Sequence, residues 1–379
     1  MSKIHYTKKS KRSTKGILSK ALIAAALLSV LTVTAAAAES VFGAGDWFRG
    51  ILNQRLKEEQ QMVEELDLDV TVQETIGQNQ IDILNEMGQV FEERAYTDQG
   101  TTVTMKAAYA DANVMHMYIQ VEAPEGTVLP DGVLYKFYDR DTLGDRSPLE
   151  LATDAPYSLS GFQYEVESLP DDDPTDNMKD FHMTLYTQSG QEMALNDGVQ
   201  KWWYSNGLYQ QVVDADGDMD AFVLLAPGEF TFDISLVNNV RVVNLDLDGT
   251  SYGGHKVRTF THPEGIDHTA DCPPYDENGV HTQEWDYTVI PTKLQISPLS
   301  VDWACEFTCS EQHIFPSLSY KIVMKDGTIP IGRDHGGMDS DTAACGTIIY
   351  DTPIDLDQID YILIGDEELG QTYKLTIPE

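Results

Sequence analysis

The side chains with most chemical capacity in this 379-residue chain are acids in short loops, four cysteines and one aromatic triplet. Asp214, Asp216, Asp218 and Asp220 read D-x-D-G-D-x-D. A hard cation takes several oxygen ligands from one short loop, so calcium is the cofactor this run points to. It lacks the EF-hand glycine at loop position six and the glutamate at position twelve. Asp171, Asp172, Asp173, Asp176 and Asp180 form a second such cluster, and Asp334, Asp339 and Asp341 a third; for all three the alternative is an acid-rich turn that keeps an exported protein soluble. Cys272, Cys305, Cys309 and Cys345 all fall in the last third of the chain. An even count in an exported chain points to disulfides, with three possible connectivities. Zinc competes, because His255, His262, His268, His281 and His313 are near in sequence, although the spacing matches no regular zinc module, and free buried thiols are the third reading. Trp202, Trp203 and Tyr204 suit stacking on a sugar or peptide, or packing between sheets.

Catalytic signatures are missing: there is no G-x-S-x-G elbow, H-E-x-x-H pair, phosphate-binding glycine loop or dinucleotide fingerprint. A glycosidase needs two carboxylates flanking a bond, and 62 acidic residues nominate no particular pair. No catalytic residue is assigned.

The elements that position these groups change character along the chain. Residues 39–92 have helical spacing. Trp47, Phe48, Ile51, Leu52 and Leu56 form one stripe, and Ile81, Leu84 and Met87 another, with Asn79 as the expected N-cap and Gly88 as the stop. Trp47 and Phe48 suit either a membrane interface or packing on the first sheet. From Thr101 the period becomes two. Val103, Met105, Ala107 and Tyr109 alternate, as do Met115, Met117, Ile119 and Val121, opposite His116, Tyr118 and Gln120. Short strand signals and turn-rich runs continue to residue 248, a Gly/Pro-rich junction covers 249–284, and strand signals resume over 285–379. Val301, Trp303, Cys305, Phe307 and Cys309 share one face of a strand. The expected fold class is mainly β: two antiparallel β-sandwich, immunoglobulin-like domains, 93–248 and 285–379, behind a short helical segment.

Charge divides the chain. The net charge is −37, yet Lys3, Lys8, Lys9, Lys11, Arg12, Lys15 and Lys20 crowd the first 20 residues with no acid among them. The uncharged stretch Ala21–Ala38 follows and ends Ala36-Ala37-Ala38, a pattern signal peptidase accepts. The expectation is a basic cytoplasmic tail over 1–20 and a signal peptide or transmembrane anchor over 21–38, with everything beyond exported. The partner is then the membrane, through residues 17–38 if uncleaved, and otherwise an envelope ligand or protein. Nucleic acid is excluded, because a polyanion is repelled by so acidic a body.

The stretches TDQGTTVTMKAAYADANVMHMYIQVEAPEGTVLPDG, PDDDPTDNMKDFHMTLYT and APGEFTFDISL resemble the uncharacterised extracytoplasmic domain of unknown function found in many Gram-positive membrane proteins. ISPLSV, VMKDGT and DTPIDLDQIDYILIGD look like the immunoglobulin-like domain that often follows it. The resemblance implies an extracytoplasmic domain behind a cytoplasmic anti-sigma module with a His/Cys zinc motif. This chain departs from that arrangement, with about 20 residues before its apolar stretch and no Cys there. No sigma-factor docking module is therefore expected. The reading is a non-enzymatic envelope sensor or binding module; the alternative is a secreted carbohydrate-binding or carbohydrate-active protein using Trp202, Trp203 and a carboxylate pair.

Overall fold

The computed structural model describes residues 44–66, 70–137, 151–153, 162–187, 200–204, 207–212, 221–234, 240–261, 280–310 and 318–378. The expected export segment, the aspartates 214, 216, 218 and 220 and Cys272 lie outside them. Among the described residues no helix is long and apolar enough to cross a membrane.

Two helices come first, α1 (Ala44–Leu66) and α2 (Gln78–Met87). The strands are β1 (Gly88–Asp98), β2 (Thr101–Ala110), β3 (Val114–Glu122), β4 (Leu134–Phe137), β5 (Leu151–Thr153), β6 (Phe162–Ser168), β7 (Met178–Thr187), β8 (Gln200–Tyr204), β9 (Leu208–Val212), β10 (Ala221–Ala226), β11 (Phe230–Ile234) and β12 (Val243–Asn244). They continue as β13 (Tyr252–Thr261), β14 (Val280–Ile296), β15 (Ser300–Cys309), β16 (Tyr320–Met324), β17 (Arg333–Ser340), β18 (Ala343–Ile349), β19 (Ile359–Asp366) and β20 (Gln371–Leu375). The fold is mainly antiparallel β in several sheets.

One five-stranded sheet, β1-β2-β3-β7-β6, organises the first part, accompanied by the three-stranded sheets β10-β9-β4 and β11-β8-β5. The second part has a sheet ordered β12-β14-β15-β18-β17, with β13 also on β14, and a smaller sheet β16-β19-β20. The strand β13 runs through the glycine-rich stretch expected to be a junction and pairs with β14 along its whole length. The helical segment likewise ends earlier than expected. Gln78 opens α2, with Gly77 as N-cap, and Gly88 begins a strand whose edge is held by β2.

Both faces of the five-stranded sheet are buried. Met115, Met117, Ile119, Phe181 and Met183 join Tyr135, Phe137 and Leu208 in one core. The opposite face carries Tyr109, Val114, Tyr118 and Tyr186 against Phe48 and Leu52 of α1, Leu84 of α2 and Leu299 and Ile349 of the second part. A bulge between Met105 and Ala107 divides β2 between the two cores. An extra residue there shifts the alternation by one, so Val103 and Met105 face one core while Ala107 and Tyr109 face the other. The expected single face of Val103, Met105, Ala107 and Tyr109 is corrected accordingly.

In the second part Val301, Trp303, Cys305 and Phe307 form the core face of β15, as their spacing implies, with Cys309 packed beside them. The expected two-disulfide framework fails on geometry. Cys305 and Cys309 lie four residues apart on one strand, roughly 13 Å, and a disulfide spans about 4.4–6.8 Å between Cα atoms. Cys345 pairs in register with Ala304, which places it on the face opposite to Cys305 and Cys309. No bond joins these three, and any two-bond arrangement of four cysteines requires one. Zinc on Cys305 is disfavoured as well, because burial pushes its thiol up to about 11 and a ligand must be thiolate.

Candidate functional site

Among the described residues, a set that the spacing arguments did not nominate converges: His116 on β3, His182 on β7 and Asp351 just after β18, with potential ligand atoms all within 4.8 Å of one another. The antiparallel pairing of β3 with β7 places His116 opposite Thr184 and His182 opposite Tyr118. These are the polar positions of the alternation, on the face turned toward α1 and the second part. Both histidines are buried. The Tyr118 ring stacks on His182 with centroids 4.8 Å apart, and the two imidazoles stack at 5.1 Å.

The hydrogen bonds fix both tautomers. An arginine has only donors, so the Arg55 Nη2 contact at 3.3 Å makes His182 Nδ1 an acceptor. The proton of neutral His182 is then on Nε2, which donates to His116 Nδ1 at 3.0 Å. His116 carries its own proton on Nε2 and donates it to the Tyr350 carbonyl at 3.2 Å. Arg55, on α1, is held by Glu167 through bonds of 2.6 and 3.1 Å. Arg333, on β17, binds Asp351 at 2.8 Å and lies 3.3 Å from Glu165. Each arginine thus ties a histidine or its neighbouring acid to a carboxylate nearer solvent.

Close packing brings β17 and its cation to this place. Gly336 and Gly346 are paired across β17 and β18, and a Cβ on Gly346 would lie 2.6 Å from Gly336 Cα and 2.7 Å from the Trp303 ring.

The donor set does not fit a metal. A metal-bound histidine coordinates through one nitrogen and donates from the other. His116 could meet that demand, but metal on His182 Nε2 would leave its Nδ1 proton facing the Arg55 donor. Charge agrees with hydrogen bonding. Burial lowers His116 to about 4 and holds His182 well below its usual range, with His116 and the arginines adding to the effect. Burial alone would raise the Asp351 carboxyl, but the surrounding cations, led by Arg333, hold it below the ordinary carboxylate range.

Glu59, half-buried on α1, is pushed up to about 8 by burial and by Asp351, against the pull of Arg55. A carboxyl raised in the folded state stabilises fully below its unfolded value of 4.5, and that contribution is lost as pH rises through 8. Glu59→Gln, neutral at every pH, is therefore expected to raise Tm at pH 8.5 by about 2–5 °C and to change it little at pH 4.5. Equal shifts at both pH values in thermal unfolding would contradict a buried, ionising Glu59.

The residues expected from sequence to act are dispersed. Trp202 and Trp203 occupy adjacent positions on the central strand β8, registered with Phe232 and Thr231 of β11. In the acidic run after β6, Asp173 accepts from the Thr175 backbone and hydroxyl, and Asp176 from the Met178 amide. The buried Lys179 ammonium pairs with Asp131 and lies 3.8 Å from Asp171. A side-chain cation and local turn bonds thus engage these carboxylates, as turn-forming acids require. Asp334 is half-buried beside Trp303, whereas Asp341 is exposed at the β17–β18 turn. The calcium expectation for Asp214, Asp216, Asp218 and Asp220 falls outside the described residues.

No protein-family model and no curated protein matches this chain. Among solved structures it is similar to the crystal structure of the conserved domain protein from Bacillus anthracis, at 11% identity and a TM-score of 0.42, over 73% of this chain and 76% of that one.

Proposed function

We propose that the protein is a non-enzymatic cell-envelope module of a Gram-positive bacterium, exported behind residues 1–38, that senses or binds an envelope ligand or protein through its extracytoplasmic β-rich part. The observation that carries the non-enzymatic reading is the closed hydrogen-bond chain Arg55–His182–His116–Tyr350. Both imidazoles are sealed from solvent, and each nitrogen that could take or give a proton is engaged within the protein. A general base must reach a substrate proton, and these do not. Contacts with a ligand then fall to loops and sheet edges on a rigid scaffold.

The finer architecture belongs to the same proposal. Two sandwich domains are supported by the first core, which draws on the five-stranded sheet and on strands β4 and β9, and by the second, which draws on both sheets of β12–β20. The basic tail and the alanine-rich stretch support export, and the resemblance to extracytoplasmic domains points the same way.

Cell fractionation with N-terminal sequencing tests the placement. A membrane-bound chain with its tail intact, or a mature chain starting at Glu39, is the expected outcome. An uncleaved chain found in the cytosol would overturn export. Turnover of any glycan or peptide substrate that disappears in His116→Gln would overturn the non-enzymatic reading.

A further inference from the structure

We infer that the histidine pair is an acid-operated latch between the two β-rich parts: neither ring accommodates a further proton while the second part covers it, so acid favours a state in which the seam opens and the rings reach water. The inference goes beyond the sensor reading and does not depend on it, because it concerns how the seam is held.

Geometry makes the pair intolerant of a proton. One added at His116 Nδ1 would face the His182 Nε2–H, 3.0 Å away. One added at His182 Nδ1 would face the Arg55 Nη2–H, 3.3 Å away. At His182 this leaves two donors facing each other in a buried site, and at His116 the Thr184 hydroxyl, 3.2 Å from Nδ1, can accept the new proton only with the His182 Nε2–H left facing it. The carboxylate that could partner an imidazolium, Asp351, lies 4.0 Å from His116 Nδ1 and is already bound by Arg333 at 2.8 Å.

Burial is the main cause of the neutral pair at neutral pH; Arg55 and Arg333 add to it and Asp351 opposes it. From α1 come Arg55, Glu58 and Glu59; from β6, Glu165 and Glu167. The second part contributes Arg333 and His335 from β17 and Asp351 after β18. Tyr109, Tyr118 and Tyr186 complete the sheet side. Glu167 is engaged by Arg55, Glu165 by Arg333 and His335, and Asp351 by Arg333.

The sign of the pH dependence follows. His116 is lowered by burial from 6.5 to about 4. A histidine depressed in the folded state contributes stability that is complete above its unfolded value and is lost as pH falls from about 6.5 toward 4. The loss falls on the seam, because His116 donates to Tyr350 and Tyr109 donates to the Asp351 carbonyl at 2.8 Å, and both acceptors belong to the second part.

Hydrogen exchange on the full chain in mild detergent, corrected for intrinsic rates between pH 7.5 and 4.5, tests the latch. Peptides spanning 114–118, 180–186 and 347–353 are expected to lose protection at least 10-fold on acidification, while 301–307, inside the second core, keep theirs. In His116→Gln and His182→Gln, which keep polar partners and do not titrate, the opening is expected to move down by at least one pH unit. Should those variants fail to fold, imidazole 15N shifts of the wild-type chain give the same answer: both rings neutral with Nε2 protonated at pH 7, titrating together with seam opening. Unchanged seam protection at pH 4.5, an opening pH shared by wild type and variants, or a buried ring titrating near 6.5 with the seam intact would each overturn the proposal.

Discussion

Asp111→Ala is expected to destabilise the protein by about 3–4 kcal/mol, the largest effect of any polar substitution at the seam. The Asp111 carboxylate is fully buried in the turn between β2 and β3. One oxygen accepts from the amides of Asn113 and Val114, each at 2.9 Å, and the other from the Leu299 amide at 2.8 Å and the Ser297 hydroxyl at 2.5 Å. Removing it leaves three backbone donors from two distant chain segments buried without an acceptor, each at a cost of about 1–3 kcal/mol before relaxation. Ser297→Ala, which deletes one hydroxyl, should cost only about 1 kcal/mol. Urea unfolding followed by fluorescence measures both. An Asp111→Ala protein within about 1 kcal/mol of wild type would show that the seam is not held at this turn.

Phe48→Ala is expected to cost about 3–4 kcal/mol, because a fully buried phenyl leaves a cavity that helix and sheet close only in part. Phe48 has no exposed surface and meets the Tyr109 ring edge-on at 4.7 Å, and its neighbour Trp47 meets Tyr118 at 5.5 Å. The same substitution separates the two uses the sequence allowed for this aromatic pair. Packing on the sheet predicts a lower unfolding midpoint with membrane partitioning unchanged; an interfacial anchor predicts the reverse. The structure places Phe48 in a core, so the first outcome is expected.

Much of the fold was legible because strands buried on one or both faces carry a period of two. The alternation over 101–121, the core face of β15 and the helical stripe containing Phe48 and Leu52 all correspond to observed elements. Strands with weak side-chain signals were missed. The first half of β13 is rich in glycine, and β17 contains Gly336 and Gly337. Such segments pair because a neighbour supplies the hydrogen bonds, a property absent from their own composition. The extra residue in β2 was equally invisible, since a bulge depends on the register of two strands together.

The candidate site was less legible still. His116 was recognisable only as a polar position opposite a methionine-rich face, where period two alone implies solvent. What covers that face is α1 and the second part, through Arg55, Tyr350 and Asp351. By itself the sequence determined local matters: which segments pleat, which stripe of each is apolar, where charge changes sign and which catalytic motifs are missing. Only the tertiary structure decided that a polar stripe becomes a buried hydrogen-bonded network, that the cysteines of β15 and β18 stay apart, and that the buried Lys179 pairs with Asp131 beside an acidic turn. The physical reason is common to all three. Hydrogen-bond direction, disulfide geometry and the cost of burying charge depend on distances between residues far apart in the chain, and sequence spacing reports only on those close together.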